Sequence, residues 1–478
     1  MKKIRFAAAM AAAVVALSIA GCAVPRPPQS TEAQAPAQWY APLPHNGSVG
    51  DLRTWWQQWG DPLLVELIDA SQAAAPSIAT ARSRIEQARA ARVAAGAALL
   101  PTLDGQASVS RGNTQPPAPT ATVAQVGLQA AWEVDLFGGN RLAAEAARAR
   151  LAGAQAGWHD ARVSVAAETA NSYLNLRSCE RQLDVAVNDR ASRAETARLT
   201  QLSADAGFAA PASAALARAS AAEASARTTQ QRALCDIEIK TLVALSAIPE
   251  RVLRQKLTAA WADPSTNVAL PIASVPAQLL AQRPDVYQAA REVEAASADV
   301  GTARAARLPR LSINGSIAVG RARLSGASAD VQTWSIGPVG LTLPIFDGGR
   351  GAANVDAAQA RYDEAVALYM ASVRQSVREV EVALVNLESA RLRNEDARVA
   401  AEGYRMSFVA TEARYRSGLA SLVELEDARR TALAAQTALV GLHRERGAAW
   451  IALYRALGGG WKADDQALNP ATSTAVRP

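Results

Sequence analysis

Aromatic side chains are scarce: 5% of 478 residues, in a chain that is 50% hydrophobic. Alanine makes up much of the difference from Ala70 onward. It supplies helix propensity without bulk, so long helices packed closely along their length suit this composition better than a broad globular core. The length exceeds what one compact core usually holds, which leaves two domains or one elongated repeat architecture. Histidine is scarcer still. His45, His159 and His443 lie far apart without ligand spacing, so no metal site is expected. No Ser/His/Asp or Cys/His constellation stands out, and Gly138-Gly139 and Gly348-Gly349 lack the spacing and the lysine of a phosphate loop. Neither an enzyme nor a cofactor is indicated. Runs of one charge sign are missing too: Arg is interspersed with Asp and Glu, which argues for solvated helix faces and against a nucleic-acid-binding stripe. The formal charge of +6 falls to about +3 without Lys2, Lys3 and Arg5.

Those three residues open a segment of their own. Residues 6–19 form a short apolar run behind them, too short to span a bilayer and typical of a secretory signal. Leu17-Ser18-Ile19-Ala20-Gly21-Cys22 follows and resembles the bacterial lipoprotein signal, which implies cleavage before Cys22 and acylation of its thiol. A plain secretory signal with an incidental cysteine is the other reading. Residue 23 is Ala, not the Asp that in that system retains lipoproteins in the inner membrane; the resemblance therefore implies the outer membrane. A single lipid group anchors only marginally, so further acyl chains or a membrane-inserted part must help. Residues 23–45, rich in Pro, Gln and Ala, read as an extended tether without a packed core.

The rest of the chain is written twice. Pro76-Ser77-Ile78 opens a stretch closing at Leu100-Pro101-Thr102-Leu103, and Pro284-Asp285-Val286 opens one closing at Leu308-Pro309-Arg310-Leu311, about 208 residues on. Leu136-Phe137-Gly138-Gly139-Asn140-Arg141 is answered by Ile345-Phe346-Asp347-Gly348-Gly349-Arg350, Gly207 by Gly418, and Leu242 by Leu453, the offset drifting to about 211. Each copy runs helix, two strands, very long helix, turn, long helix. Leu103, Gly105, Ala107 and Val109 alternate with polar residues, as do Val126, Leu128, Ala130, Trp132 and Val134; period two argues for strands with one apolar face. Leu311, Ile313, Gly315, Ile317 and Val319 repeat the pattern, while the phase of the fourth strand slips at Gly337-Pro338, where a bulge is expected. Residues 113–121 and 324–330 read as polar loops. Such strands fit a transmembrane barrel; a globular sandwich uses the same alternation.

Proline is absent from residues 141–204 and 350–417, and a helix of ~64 residues would measure ~95 Å. Val366, Met370, Val373, Val377, Val380, Leu384 and Leu387 keep the 4,3 spacing of a coiled-coil seam. Each long helix is expected to turn near its glycine and return over residues 211–247 and 421–457. Four strands per chain cannot enclose a pore, and open sheet edges are not tolerated in lipid, so several chains must pool them. Cys179 and Cys235 are centred on Gly207, which puts them level in an antiparallel hairpin: either a disulfide in an oxidising compartment, or two buried small hydrophobes.

Together, the duplicated unit, the Leu100-Pro101 and Leu308-Pro309 junctions, Phe346-Asp347-Gly348-Gly349-Arg350, Arg283-Pro284-Asp285-Val286 and Leu457-Gly458-Gly459-Gly460-Trp461 resemble the TolC-like outer-membrane efflux factor family, in its lipidated OprM/NodT-type branch. The likeness covers residues 55–461. It implies a mainly α protein with a membrane β-barrel: a homotrimer whose twelve pooled strands form the barrel and whose helical hairpins form a periplasmic α-barrel. It also implies a periplasmic adaptor and an inner-membrane pump, often of the resistance-nodulation-division type, as partners beside outer-membrane lipid. The expected segments are a removed signal (1–21), a lipid-anchored extended tether (22–60), repeat 1 (61–260), repeat 2 (261–460) and a tail (461–478).

By the same resemblance, Gly207 and Gly418 mark the hairpin tips that meet the adaptor, and Glu424 and Asp427 match acidic rings at the channel constriction. Tyr415 and Arg416 are candidates for contacts that hold the tip closed. The expected function is passive conduction of small molecules, drugs or other toxic organics. A non-conducting periplasm-spanning coiled-coil lipoprotein explains Cys22 and the helices but leaves the strands unused. Within the channel class, metal-ion export and protein secretion stay open.

Overall fold

The computed structural model describes residues 24–31, 40–41, 52–113, 120–258, 283–324 and 327–461. Cys22 and the signal segment lie outside them, as does His45. After a 3-10 helix, Leu52–Trp59, the elements run α1 (Pro62–Ala74), α2 (Pro76–Ala97), β1 (Thr102–Gly112), β2 (Ala121–Val134), α3 (Gly139–Asp205), α4 (Pro211–Ser246), α5 (Glu250–Leu257), α6 (Pro284–Ala305), β3 (Arg310–Leu324), β4 (Ala327–Thr342), α7 (Arg350–Arg416) and α8 (Leu422–Ala456). Proline stands at the first turn of α1, α2, α4 and α6, where its missing N–H costs nothing and its fixed φ suits the helix. Both long helices have 67 residues.

Two compact units emerge, and neither is a repeat. Residues 1–33, 82–156 and 287–372 form the first, and residues 34–81, 157–286 and 373–478 the second, so each draws on both copies. The copies were expected at 61–260 and 261–460. They do not separate in space because α3 and α7 each contribute to both units.

The first unit holds the sheet, an antiparallel meander in the order β1-β2-β3-β4. Its helices pack through alanine: Ala146 and Ala149 of α3 meet Ala295 and Ala298 of α6. A Cβ on Gly301 would stand 2.7 Å from Leu142 Cδ1, so a larger residue there would make the Leu142 side chain shift. Here part of the expected tether is docked. Ser297 Oγ donates to Pro27 O at 2.6 Å, Arg304 Nη1 donates to Pro25 O at 2.7 Å, and Arg26 pairs with Glu145 at 2.9 Å. Pro-rich composition predicts an extended backbone, and extended backbone offers carbonyls to neighbouring helices.

The second unit has the larger core. Trp55, Trp56 and Trp59, at the end of the segment expected over residues 22–60, are buried there, with Trp55 stacked on Tyr454 at 4.9 Å. Burying a large apolar ring outweighs the polar flanks around it. Leu64, Leu67, Leu176, Leu242, Leu384, Ile451 and Leu453 complete the centre. Asp61 caps α1 by accepting from the Leu63 and Leu64 amides, and it also accepts from Tyr173 Oη. Burial, then the hydrogen bond to Asp61, holds the Tyr173 phenol well above its ordinary pKa. Cys179 and Cys235 are bonded to each other across α3 and α4, with S–S 2.08 Å and Cα–Cα 5.5 Å.

Two local expectations meet different outcomes. Ile313 pairs with Val339 and Gly315 with Ile336, so β4 carries one extra residue at Gly337-Pro338, where the phase slip was read. Within residues 324–330, read as a loop, Leu324 and residues 327–330 instead extend the ladder: Leu324 pairs with Ala327 and Arg321 with Asp330. Backbone hydrogen bonds hold a hairpin together whatever its side chains, so a polar end does not end a strand.

Candidate functional site

The sheet supplies the first part of the site. Its register aligns Gly105, Leu128, Ile317 and Trp334 in one cross-strand row, and Ala107, Val126, Val319 and Gln332 in the next. Since side chains alternate sides with period two, these rows lie on one face, apolar across the strands except at Gln332 of β4. Leu128 is 48% exposed, Ile317 58% and Trp334 76%. A soluble monomer rarely carries an apolar patch this broad.

The opposite face is polar. Asp104, Gln129, Ser316 and Ser335 share a row, the two serines bonded at 2.9 Å. That face is also concave. A Cβ on Gly127 would lie 2.6 Å from Ala318 Cβ, where opposed Cβ atoms ordinarily stand ~4.5–5.5 Å apart. Gly320 repeats this against Gln125 Cβ at 2.8 Å. Strands so close on one face curl toward it, and glycine is what permits the curl. Apolar outside and polar inside is the wall of a membrane barrel. Among the described residues β1 and β4 pair on one side only, and no helix is long and apolar enough to cross a membrane.

The second part is the pair of hairpin tips in the second unit. Gly207 (φ +80°) and Gly418 (φ +74°) occupy the same motif. Phe208 N–H donates to Ser203 O and Gly207 N–H to Ala204 O; Leu419 N–H donates to Arg414 O and Gly418 N–H to Tyr415 O. These bonds satisfy the last helix carbonyls and require the left-handed backbone that glycine takes freely. Beyond them, Phe208 is 88% exposed, Leu419 70% and Val423 67%.

Of the four residues proposed for the gate, Tyr415 alone joins the two hairpins, its hydroxyl 2.7 Å from Thr200 Oγ1. Arg416 pairs with Glu412 one turn back at 3.3 Å. Glu424 closes a capping box: Ser421 N–H donates to its carboxylate at 2.6 Å, while its own N–H donates to Ser421 Oγ. That backbone bond holds the Glu424 carboxyl below its ordinary pKa. Asp427 pairs with Arg430 at 2.6 Å, both exposed.

Sequence reasoning missed the group beneath. Arg193 of α3 reaches Asp189, Ser220 of α4 and Glu426 of α8; Glu426 also takes Arg429, whose other nitrogen donates to Thr196 at 2.9 Å. The Arg193 and Arg429 side chains are 7% and 3% exposed. Burial pulls the Arg429 guanidinium below its ordinary pKa, and Glu426 is the strongest charge opposing that pull. One signal was available: Leu422, Leu425, Arg429 and Ala432 share the buried stripe of α8, so an arginine stands where the pattern asks for an apolar residue.

The outer membrane efflux protein family profile matches residues 67–247 and 275–459, the two copies in turn. The chain belongs to the outer membrane efflux protein family. Among its relatives is the pyoverdine export outer membrane protein OpmQ of Pseudomonas putida KT2440, 31% identical over 94% of this chain and 97% of that one. The solvent efflux pump outer membrane protein SrpC of Pseudomonas putida is 29% identical over 93% and 97%. The solved outer-membrane channel OprN superposes with a TM-score of 0.79 at 29% identity, covering 90% of this chain and 99% of that chain. This outer membrane efflux protein is thus a channel component of an efflux system, seated in the outer membrane. The amphipathic sheet is its membrane part, and the curl toward the polar face points that face inward.

Proposed function

We propose that three copies of this chain pool their strands into one closed outer-membrane barrel and passively conduct small organic molecules out of the cell. A sheet with an exposed apolar face and open ladders at β1 and β4 carries this reading, because lipid tolerates no unpaired edge. Closure by β4 of one copy against β1 of the next satisfies every edge. An inner-membrane pump of the resistance-nodulation-division type delivers the cargo through a periplasmic adaptor, which meets the tips at Gly207 and Gly418, where Phe208 and Leu419 offer apolar contacts. Tyr415 with Thr200 keeps the two tips of a subunit together at rest, Arg416 steadies the turn, and Glu424 and Asp427 ring the narrow end. Acylated Cys22 anchors the chain. The relatives' cargoes, pyoverdine and solvents by their names, support organic cargo over metal ions or proteins.

The test is the native mass of the detergent-extracted mature protein, followed by conductance in planar bilayers. A trimer with acyl mass on each chain and a defined pore conductance is expected. A lipidated monomer that conducts nothing returns the chain to the bridging-lipoprotein reading.

A further inference from the structure

The register of the sheet also gathers charge. Arg111 of β1 stands opposite Thr122 of β2, Thr122 opposite Arg323 of β3, and Arg323 opposite Ser328 of β4. One residue pair nearer the helices, Val109, Ala124, Arg321 and Asp330 form the preceding row on the same face. Both rows lie on the outward, apolar face, in phase with Val126, Val319 and Ile317. Arg321 is matched by Asp330 at 3.0 Å. Arg111 and Arg323 are exposed and face only hydroxyl side chains directly across the ladder. The two hairpin connections, residues 113–120 and 325–326, contain no acidic residue in the sequence.

Height along the sheet gives this row its meaning. Leu311, the first outward apolar residue of β3, and Arg321 are ten residues apart, ~34 Å along a strand. At a tilt of ~35–45° that becomes a rise of ~25 Å, the height of a barrel's lipid-facing band. The arginines therefore stand where hydrocarbon gives way to headgroups, at the hairpin ends away from α2, α3, α6 and α7. Arg111 and Arg323 are two strands apart, ~9.6 Å. Guanidinium forks match phosphate oxygens bidentately, and beyond the row of Arg321 and Asp330 the side chains of Val126, Val319 and Ile317 suit the acyl chains of the same molecule.

We propose that Arg111 and Arg323 form a binding site for the phosphorylated headgroup of an outer-leaflet glycolipid, whose acyl chains lie on the apolar rows of Val126, Val319 and Ile317. This rests on the channel reading above, in which the hairpin ends face outward from the cell. Bound lipid bridges β1 and β3 and brings the outer rim under the control of the lipid around it, as basic clusters elsewhere recognise anionic headgroups.

The experiment uses the assembled wild-type protein in phosphatidylcholine nanodiscs, titrated with diphosphoryl lipid A and read by native mass spectrometry. Retention of lipid A by the trimer is expected, with R111Q/R323Q binding ~10–30-fold more weakly and R111K/R323K, which keeps the charge but loses the fork, falling between the two. Equal binding by R111Q/R323Q and wild type overturns the site, as does displacement of lipid A by millimolar inorganic phosphate, which marks a free-anion site instead. A wild-type chain that forms no membrane-inserted trimer overturns the channel reading and this inference with it. That outcome shows in the mass before any lipid A is added.

Discussion

Replacing Glu426 by Gln tests whether the buried charge group holds the two hairpins of a subunit together. The carboxylate accepts from Arg193, from Ser220 Oγ at 2.9 Å and from Arg429, so three helices converge on it. Gln keeps the volume but removes the charge, leaving two arginines, 7% and 3% exposed, with Asp189 and Glu412 as the remaining nearby acids. Breaking a buried pair by removing one partner costs ~3–5 kcal/mol. Glu426 is itself 19% exposed, so the lower end applies, ~3 kcal/mol. If that energy separates joined from parted tips, local opening becomes about a hundredfold more frequent. Amide hydrogen exchange of peptides covering residues 415–424 reads this directly, and single-channel recordings should show more frequent openings. The double replacement with Arg193→Gln should cost less than the sum of the singles, with a coupling of ~1–3 kcal/mol. Exchange within threefold of wild type in Glu426→Gln would refute the argument, because the group would then be packing and not a latch.

Other expectations concern separate parts of the molecule. Cys179→Ser removes a bridge closing a separation of 56 residues, worth ~4 kcal/mol by loop-closure entropy; it should lower the thermal midpoint, and mass mapping of the wild type should find the pair joined. Gly418→Val at φ +74° should destabilise the tip by ~1–2 kcal/mol, seen as faster proteolysis there, whereas equal resistance would mean the turn has another conformation. Trp334→Arg on the lipid face should cost ~2–4 kcal/mol of refolding stability in bilayers and much less in a water-facing sheet. Burial, then Asp285, raises the Asp160 carboxyl above its ordinary pKa despite Arg283 and Arg455. The folded state then binds the proton more readily, so this group's contribution falls as pH rises from the ordinary aspartate pKa through the raised one. Asp160→Asn should raise the midpoint at neutral pH and flatten that dependence in a pH series of melts.

Most of the fold could be read in one dimension because its signals are local. Period two marks the strands, proline opens the helices at Pro76, Pro211 and Pro284, and Gly207 and Gly418 close the two long helices α3 and α7. The slip at Gly337-Pro338 was legible because one extra residue inverts every side chain after it. The latch was not, since Arg193 and Glu426 are 233 positions apart and only packing decides which faces of α3 and α8 meet. The burial of Trp55 and Trp56 was hidden for a related reason: they find their partner in Tyr454, at the far end of the chain. Glu424 and Asp427 were found by likeness, yet their observed bonds are to Ser421 and Arg430 within α8 and its cap.

The docking of Pro25, Arg26 and Pro27 bears on the order in which the molecule is made. This segment is among the first parts to emerge, but Ser297 and Arg304 follow it by 270 and 279 positions. Contacts so distant in sequence close late, after the elements between them have formed. The N-terminal strap thus waits for nearly two thirds of the chain before it can seat. Its protection from protease would date the moment at which the second copy folds against the first.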